Sequence, residues 1–354
     1  MPSKNFTNFD VRSALLSGDY IVGYKEDGTT EFRATYKDLI EFLKPYLQEL
    51  EFPQQLPITG SWSTFTVPNP EGASGSSWHS VYYWSANNKW YAVYHSGSKN
   101  NKGVSASGAT PTTWSQITLP ETNYWIQITG DNTYLYIIAE SSNLYRSSNG
   151  TTWTKLTSFP SGIYWTKMKK LGNLLYASDP RVASQNYGSL DNGNASFQIS
   201  GGVINDMAYD GSMWIATTNT LIVKTSTNGT TWNDLTVPNN YGSSWNNITY
   251  GNGMWVVWNP LSNKASVSRN NGGTSWTPIV LPAQTSYTED SIIFYKNKFW
   301  LFSGLTVYYS DNLGTWGTMS LPVNLLSPAI GFGNNSIIMF GDRSTTSIIS
   351  PTLV

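Results

Sequence analysis

The chain contains no cysteine and only two histidines, His79 and His95. Disulfides and thiolate metal sites are therefore excluded, and a histidine-rich metal centre has too few ligands. No cofactor is expected. Charge is scarce as well: Asp, Glu, Lys and Arg make up 12% of 354 residues, about half the usual share of roughly 25%. A net charge of −1 gives no general affinity for nucleic acid or anionic membrane. No run of 18 apolar residues occurs, and residues 1–20 lack an apolar stretch of signal-peptide length. These absences predict a soluble chain that is not exported by the usual route, with no nucleic-acid partner and no membrane insertion.

Aromatic residues reach 14%, with 30 glycines and 16 tryptophans. That balance favours β-structure with many tight turns, kept in solution by hydroxyls and amides rather than by charge. The few charges are unevenly spread. Residues 1–50 hold 6 Lys/Arg and 8 Asp/Glu, which is 14 of 43, and the other 304 residues share 29. The shift marks a domain boundary.

Within residues 1–50, Tyr20–Tyr24 reads as a strand, Glu26-Asp27-Gly28-Thr29 as a hairpin turn and Thr30–Ala34 as a second strand. Thr35 is a plausible N-cap for a helix over Tyr36–Leu50, whose Leu39, Ile40, Phe42, Leu43, Tyr46 and Leu47 form one apolar stripe; Pro45 should interrupt it. A ββα unit of this size buries little surface alone, so its stripe is expected to pack on a partner chain or larger assembly. Ser17–Tyr24, the hairpin and Lys37-Asp38-Leu39 resemble the short N-terminal modules of bacteriophage tail-fibre and other virion appendage proteins. The resemblance covers about 30 residues. It implies attachment to other virion proteins (tail, baseplate or capsid), with Tyr20, Leu39, Phe42, Leu43 and Tyr46 as docking candidates and the virion as location. An ordinary dimerisation or docking unit of a non-viral protein is the plainer alternative. A trimer would suit a fibre, but the interrupted helix offers no heptad pattern for one. Residues 51–59, with two prolines, read as a short stiff linker.

From residue 60 to 354 a phrase repeats. Residues 147–160 read SSNGTTWTKLTSFP and residues 226–238 read STNGTTWNDLTVP. Weaker copies span 105–120, 268–282 and 310–322, and a degenerate one spans 189–197. The anchoring aromatics Trp62, Trp114, Trp153, Phe197, Trp232, Trp276 and Trp316 are separated by 52, 39, 44, 35, 44 and 40 residues. That period fits a four-stranded propeller blade. Six units lie at 77–120, 123–160, 163–201, 203–238, 242–282 and 286–322. Residues 324–354 supply three strands and no fourth, whereas Ser61–Pro68 has the sequence of a fourth strand and no first three. Joining the two ends completes a seventh blade and leaves no open edge. The predicted fold is an all-β, seven-bladed β-propeller closed by an N-terminal strand and preceded by the ββα module. The poorly matched third unit leaves six or eight blades open.

The turn phrase resembles the Asp-box of sialidase-like propellers, Ser-x-Asp-x-Gly-x-Thr-Trp, shortened by one residue in the two best copies and with Asn149 and Asn228 in place of Asp. In that family the boxes lie on the blade periphery and carry no catalysis, which implies a structural role here. Asn and Gly suit left-handed turns, and Ser and Thr hydroxyls bond turn amides. Sialidases also use three arginines, a Tyr/Glu pair and an acid Asp. This region has only Arg146, Arg181, Arg269 and Arg343, lacks the Arg-Ile-Pro signature, and places Arg146 and Arg269 beside box turns.

A glycosidase needs two carboxylates at a set separation. Of 13 acids after residue 60, Asp206 and Asp290 are the best pair, since both fall near the start of a first strand. Solvated or turn-capping acids are the bland account. No Ser-His-Asp set or phosphate loop appears. Aligning first strands places Trp78, Trp125, Trp165, Ile204, Trp245, Asp290 and Ser327 at one position. Flat indole faces there could stack on sugar rings, or could merely pack between blades. His95–Gly103 reads as a polar insertion and Asp179–Tyr187 breaks the repeat, which makes His95 and Arg181 candidate ligand contacts. The ligand-binding candidates are thus Trp78, Trp125, Trp165, Trp245, Asp290, His95 and Arg181, with no catalytic or metal residue. The leading expectation is a virion appendage whose propeller presents a host-glycan recognition surface. A propeller glycosidase acting on host polysaccharide and a purely structural virion scaffold are the alternatives.

Overall fold

Six antiparallel four-stranded meanders, and a seventh sheet of three consecutive strands and one borrowed, form because each repeat is built of short β-rich runs separated by Gly, Asn and Ser turns. The computed structural model describes the backbone of residues 20–24 and 31–35, and residues 58–68, 77–95, 99–108, 111–140, 143–200, 202–238, 244–259, 262–269, 273–283, 291–325, 328–341 and 346–353, with backbone alone at 77 and 95. The chain divides into two units, 1–56 and 57–354. In the first, Tyr20–Tyr24 pairs antiparallel with Glu31–Thr35, from Tyr20 opposite Thr35 to Tyr24 opposite Glu31. The expected helix over 36–50, and with it Leu39, Phe42, Leu43 and Tyr46, lies outside the described residues, as does the side chain of Tyr20.

The second unit is a seven-bladed propeller. The innermost strands of blades 1 to 7 are Ser77–Trp84, Trp125–Gly130, Lys167–Leu171, Asp206–Tyr209, Asn247–Gly251, Ile292–Tyr295 and Ala329–Gly333. Blade 7 takes its outer strand, Ser63–Thr66, from the start of this unit, paired from Ser63 opposite Ile349 to Thr66 opposite Thr346. The uncertain third unit is a complete blade whose outer strand is only Phe197–Gln198. Among the described residues the single helical element is a 3-10 turn at Ser85–Asn87.

The closing segment alternates sides. Trp62 packs edge-on against Phe302 at 6.3 Å, in the core between blades 6 and 7. Phe65 and Val67 enter the core between blades 7 and 1, where Phe65 stacks on Trp114 at 6.2 Å. One strand of period two thus joins the last blade to both neighbours.

The box turns are hydrogen-bonded cages. In blade 2 the Gly150 amide donates to Ser147 Oγ at 2.8 Å, and the Thr151 and Thr152 amides donate to Asn149 Oδ1 at 2.9 and 2.8 Å. Ser226, Asn228 and Gly229 repeat this in blade 4. Gly150 has φ 77° and a Cβ there would stand 2.1 Å from Tyr91 Oη of blade 1, so both backbone and space require glycine. Arginines beside the boxes tie neighbouring blades: Arg146 donates to Asn192 O at 2.7 Å and Arg269 to Asn312 O at 3.3 Å.

Candidate functional site

The innermost strand of each blade leaves one backbone edge facing the central channel, and unpaired edge amides need partners. Side chains of the preceding blade supply several. Ser80 Oγ donates to Ile128 O at 3.2 Å and Tyr82 Oη to Gly130 O at 2.7 Å. The Met168 amide donates to Gln127 Oε1 at 2.5 Å, and the Ile248 amide to Asp206 Oδ2 at 3.3 Å. This explains why one equivalent position near the start of these strands is polar in six blades, as Ser80, Gln127, Lys167, Asp206, Asn247 and Ser291, with Ala329 in blade 7.

Asp206 belongs to this ring. It is 1% exposed, accepts from the Met207 amide at 2.8 Å, and pairs with Lys169 Nζ at 2.6 Å and Lys167 Nζ at 3.5 Å. Burial alone would raise its pKa, but the two ammonium groups and the amide outweigh burial and hold it below the ordinary carboxylate range. A general acid needs the opposite shift, and a nucleophile or base must reach the substrate, which a 1%-exposed carboxylate with both oxygens engaged does not. Asp206 is therefore a structural anion, which corrects its choice as a candidate acid. Asp290 and Ser327 lie outside the described residues.

The four aligned tryptophans are also placed differently from the stacking platform expected of them. Trp125, Trp165 and Trp245 are fully buried and Trp78 nearly so. Trp78 sits 4.9 Å from Phe340, Trp165 packs on Phe159 and Tyr187, and Trp125 Nε1 donates to Asn100 O at 2.9 Å. They are wedges between blades and offer no free ring face. Of His95 only the backbone is described, opposite Ser77. The polar insertion after it is shorter than expected, because Asn100–Ser107 is already the third strand of blade 1.

Arg181 is fixed in place. Its Nε and Nη2 donate to the two oxygens of buried Asp179 at 2.7 and 2.9 Å, Nη2 also reaches Tyr164 O at 3.2 Å, and the guanidinium lies 5.0 Å from the Tyr164 ring centre. Exposed Tyr164 and Val182 flank it.

The sequence reading missed a second aromatic set, at the opposite end of the first strands. A cavity of about 370 Å³ occupies the channel and is lined by residues of all seven innermost strands, Tyr82, Tyr209, Tyr250, Phe294 and Phe332 among them. Phe332 is 44% exposed and the other four are partly exposed. Tyr209 stacks on Trp214 at 4.3 Å, Tyr250 tilts on Trp255 at 4.7 Å, and Phe332 lies 5.4 Å from Tyr295. Two of them sit on glycines of the neighbouring blade: a Cβ on Gly172 would meet the Tyr209 ring at 2.6 Å, and one on Gly251 the Phe294 ring at 1.9 Å. Asn88, Asn252, Asn297, Asn334 and Asn335 occupy left-handed positions in the surrounding turns. Counting three residues on from Asp206, Asn247, Ser291 and Ala329 reaches Tyr209, Tyr250, Phe294 and Phe332, an equivalence that would have exposed four of the five.

Architecture defines the class: a seven-bladed β-propeller with a channel cavity between its innermost strands. No family model matches the chain, and no curated protein matches it in sequence. Its fold is similar to that of YCF48 bound to D1 peptide (TM-score 0.60, 15% identity, 84% of this chain and 96% of the other). It is also similar to a catalytically inactive virginiamycin B lyase from Staphylococcus aureus with quinupristin (TM-score 0.64, 11% identity, 82% of this chain and 100% of the other). A chain of the mitotic checkpoint complex superposes comparably (TM-score 0.59, 10% identity, 86% and 99%). Identities this low show the fold alone.

Proposed function

We propose that this chain is a recognition protein of a bacteriophage virion appendage, attached to the particle through residues 1–50. In this reading its propeller binds a glycan of the host surface at the mouth of the central channel and carries out no catalysis. The observation that carries the binding site is the set of five partly exposed aromatic rings around one cavity, ringed by asparagine turns. Ring faces stack on the C–H faces of sugars while amides meet hydroxyls. The cavity holds roughly one to two sugar residues, so a single site is weak and many copies on a particle would supply avidity. The burial of Asp206, with both oxygens engaged by amides and lysines, favours binding over hydrolysis. The particle assignment rests on the resemblance of residues 17–39 to appendage modules and on the box-like turns. Among its structural neighbours one holds a peptide, one is a lyase and one belongs to a multiprotein complex, so the scaffold itself accommodates recognition. A glycan array and a host-cell binding assay with the full chain test the reading. Binding that Tyr209→Ala or Phe332→Ala reduces at least tenfold supports it; no binding to any glycan or cell leaves a structural role in the particle.

A further inference from the structure

The aromatic rings of the channel mouth say nothing about the charge of the sugar they would hold, but the lysines beside them do. We infer that the glycan recognised there is anionic, with a carboxylate or phosphate directed at Lys169. This rests on the glycan reading above and deepens it.

Among the described residues lining the cavity, Lys169 and Lys170 are the charged ones, and no Asp or Glu lines it. Lys170 is turned aside: its Nζ lies 3.4 Å from Asp131 Oδ2, donates to Gly172 O at 3.0 Å, and its side chain is 3% exposed. Lys169 keeps 21% of its side chain exposed, while its partner Asp206 keeps 2%. The oxygens of Asp206 are already engaged behind it by the Met207 and Ile248 amides and by Lys167 at 3.5 Å. Two ammonium groups thus address one carboxylate, which is buried, while the Lys169 side chain stays partly exposed and lines the cavity.

The acids of the rim are held by local groups. The seven hairpin turns around this mouth are all described and contain two acids, Asp131 and Asp210. Asp131 accepts from the Thr133 and Tyr134 amides and faces Lys170. Asp210 accepts from the Ser212 and Met213 amides and from Ser212 Oγ. A neutral sugar filling the cavity would strip water from Lys169 and return nothing of equal strength. An anionic sugar replaces that water with a charge-assisted bond in a site where screening is weak.

The test is calorimetric titration of the full chain with four probes: oligogalacturonate, its fully methyl-esterified neutral form, an oligomer of ribitol phosphate, and maltohexaose. One anionic probe is expected to bind about ten- to a hundredfold tighter than the neutral ones, with affinity falling as salt rises. Which anionic probe binds separates uronate from phosphate. Lys169→Gln should bring the anionic probe down to the neutral level and Lys169→Arg should largely restore it. The salt series on the unaltered chain decides the matter even if Lys169→Gln fails to fold. Neutral probes binding as tightly as anionic ones, or affinity indifferent to salt, would overturn the anionic inference and leave the glycan reading standing. No binding by any of the four, combined with a silent glycan array, would remove both.

Discussion

Asp206 receives the amide of its neighbour Met207, the Ile248 amide of the next blade and two ammonium groups of the preceding blade, so three of its four partners are brought to it by blade packing. Its pKa lies below the unfolded carboxylate value of about 4. The sign of the linkage follows. Its contribution to stability is complete above the unfolded pKa and is lost as pH falls through the depressed folded value. Removing the charge takes away the buried counter-ion of two lysines, so Asp206→Asn should destabilise the fold by about 3–5 kcal/mol at neutral pH. It should also flatten the loss of stability on acidification. Urea unfolding at pH 7 and pH 3 measures both effects, and a parental midpoint at pH 7 would refute the assignment. The sequence marked Asp206 as a candidate because it begins a strand. Its partners Lys167 and Lys169 stand a whole repeat earlier, and no short-range spacing signals a bond between adjacent blades.

At the level of the element, position along a strand was legible and direction was not. The alignment that brought Trp78, Trp125, Trp165 and Trp245 to one place was correct about equivalence, because the repeat fixes it. Whether that place faces the channel or the next blade depends on pleat and twist, which the alignment does not contain. The structure turns these indoles between blades, where truncation leaves a large void. Trp165→Ala should therefore cost about 3–5 kcal/mol, read as a lowered thermal midpoint by calorimetry. A variant as stable as the parent would mean the indole is not a wedge. The aromatic set at Tyr209, Tyr250, Phe294 and Phe332 went unseen for a related reason. Its meaning comes from the cavity that several strands share, and each ring alone resembles ordinary core.

For the molecule as a whole, the period of the box phrase, the orphan fourth strand at Ser61–Pro68 and the truncated last repeat were enough to read seven blades and their closure. The physical reason is that each blade must bury both faces against neighbours, so repeat, edge and closure are constrained together. Trp62 and Phe65 make the closing strand a staple between three blades. Deleting residues 1–56 should leave the propeller's thermal transition nearly unchanged, whereas deleting 1–68 should abolish a single cooperative transition or lower its midpoint by well over 10 °C, on the scale of about 4 °C or less per kcal/mol for a chain this long. Equal transitions for the two truncations would contradict the closure. The site was far less legible than the scaffold, because the repeat encodes what all blades share and binding depends on where they differ.

The central claim is that recognition occurs at the aromatic mouth of the channel and not on the opposite face. The most direct measurement compares adsorption of the full chain to host cells for Tyr209→Ala, Phe332→Ala and Tyr164→Ala, with folding of each checked by its thermal midpoint. The account predicts that the first two lose at least tenfold in affinity and that Tyr164→Ala, on the Arg181 face, binds as the parent does. Loss confined to Tyr164→Ala, with the channel-mouth variants unaffected, would contradict it.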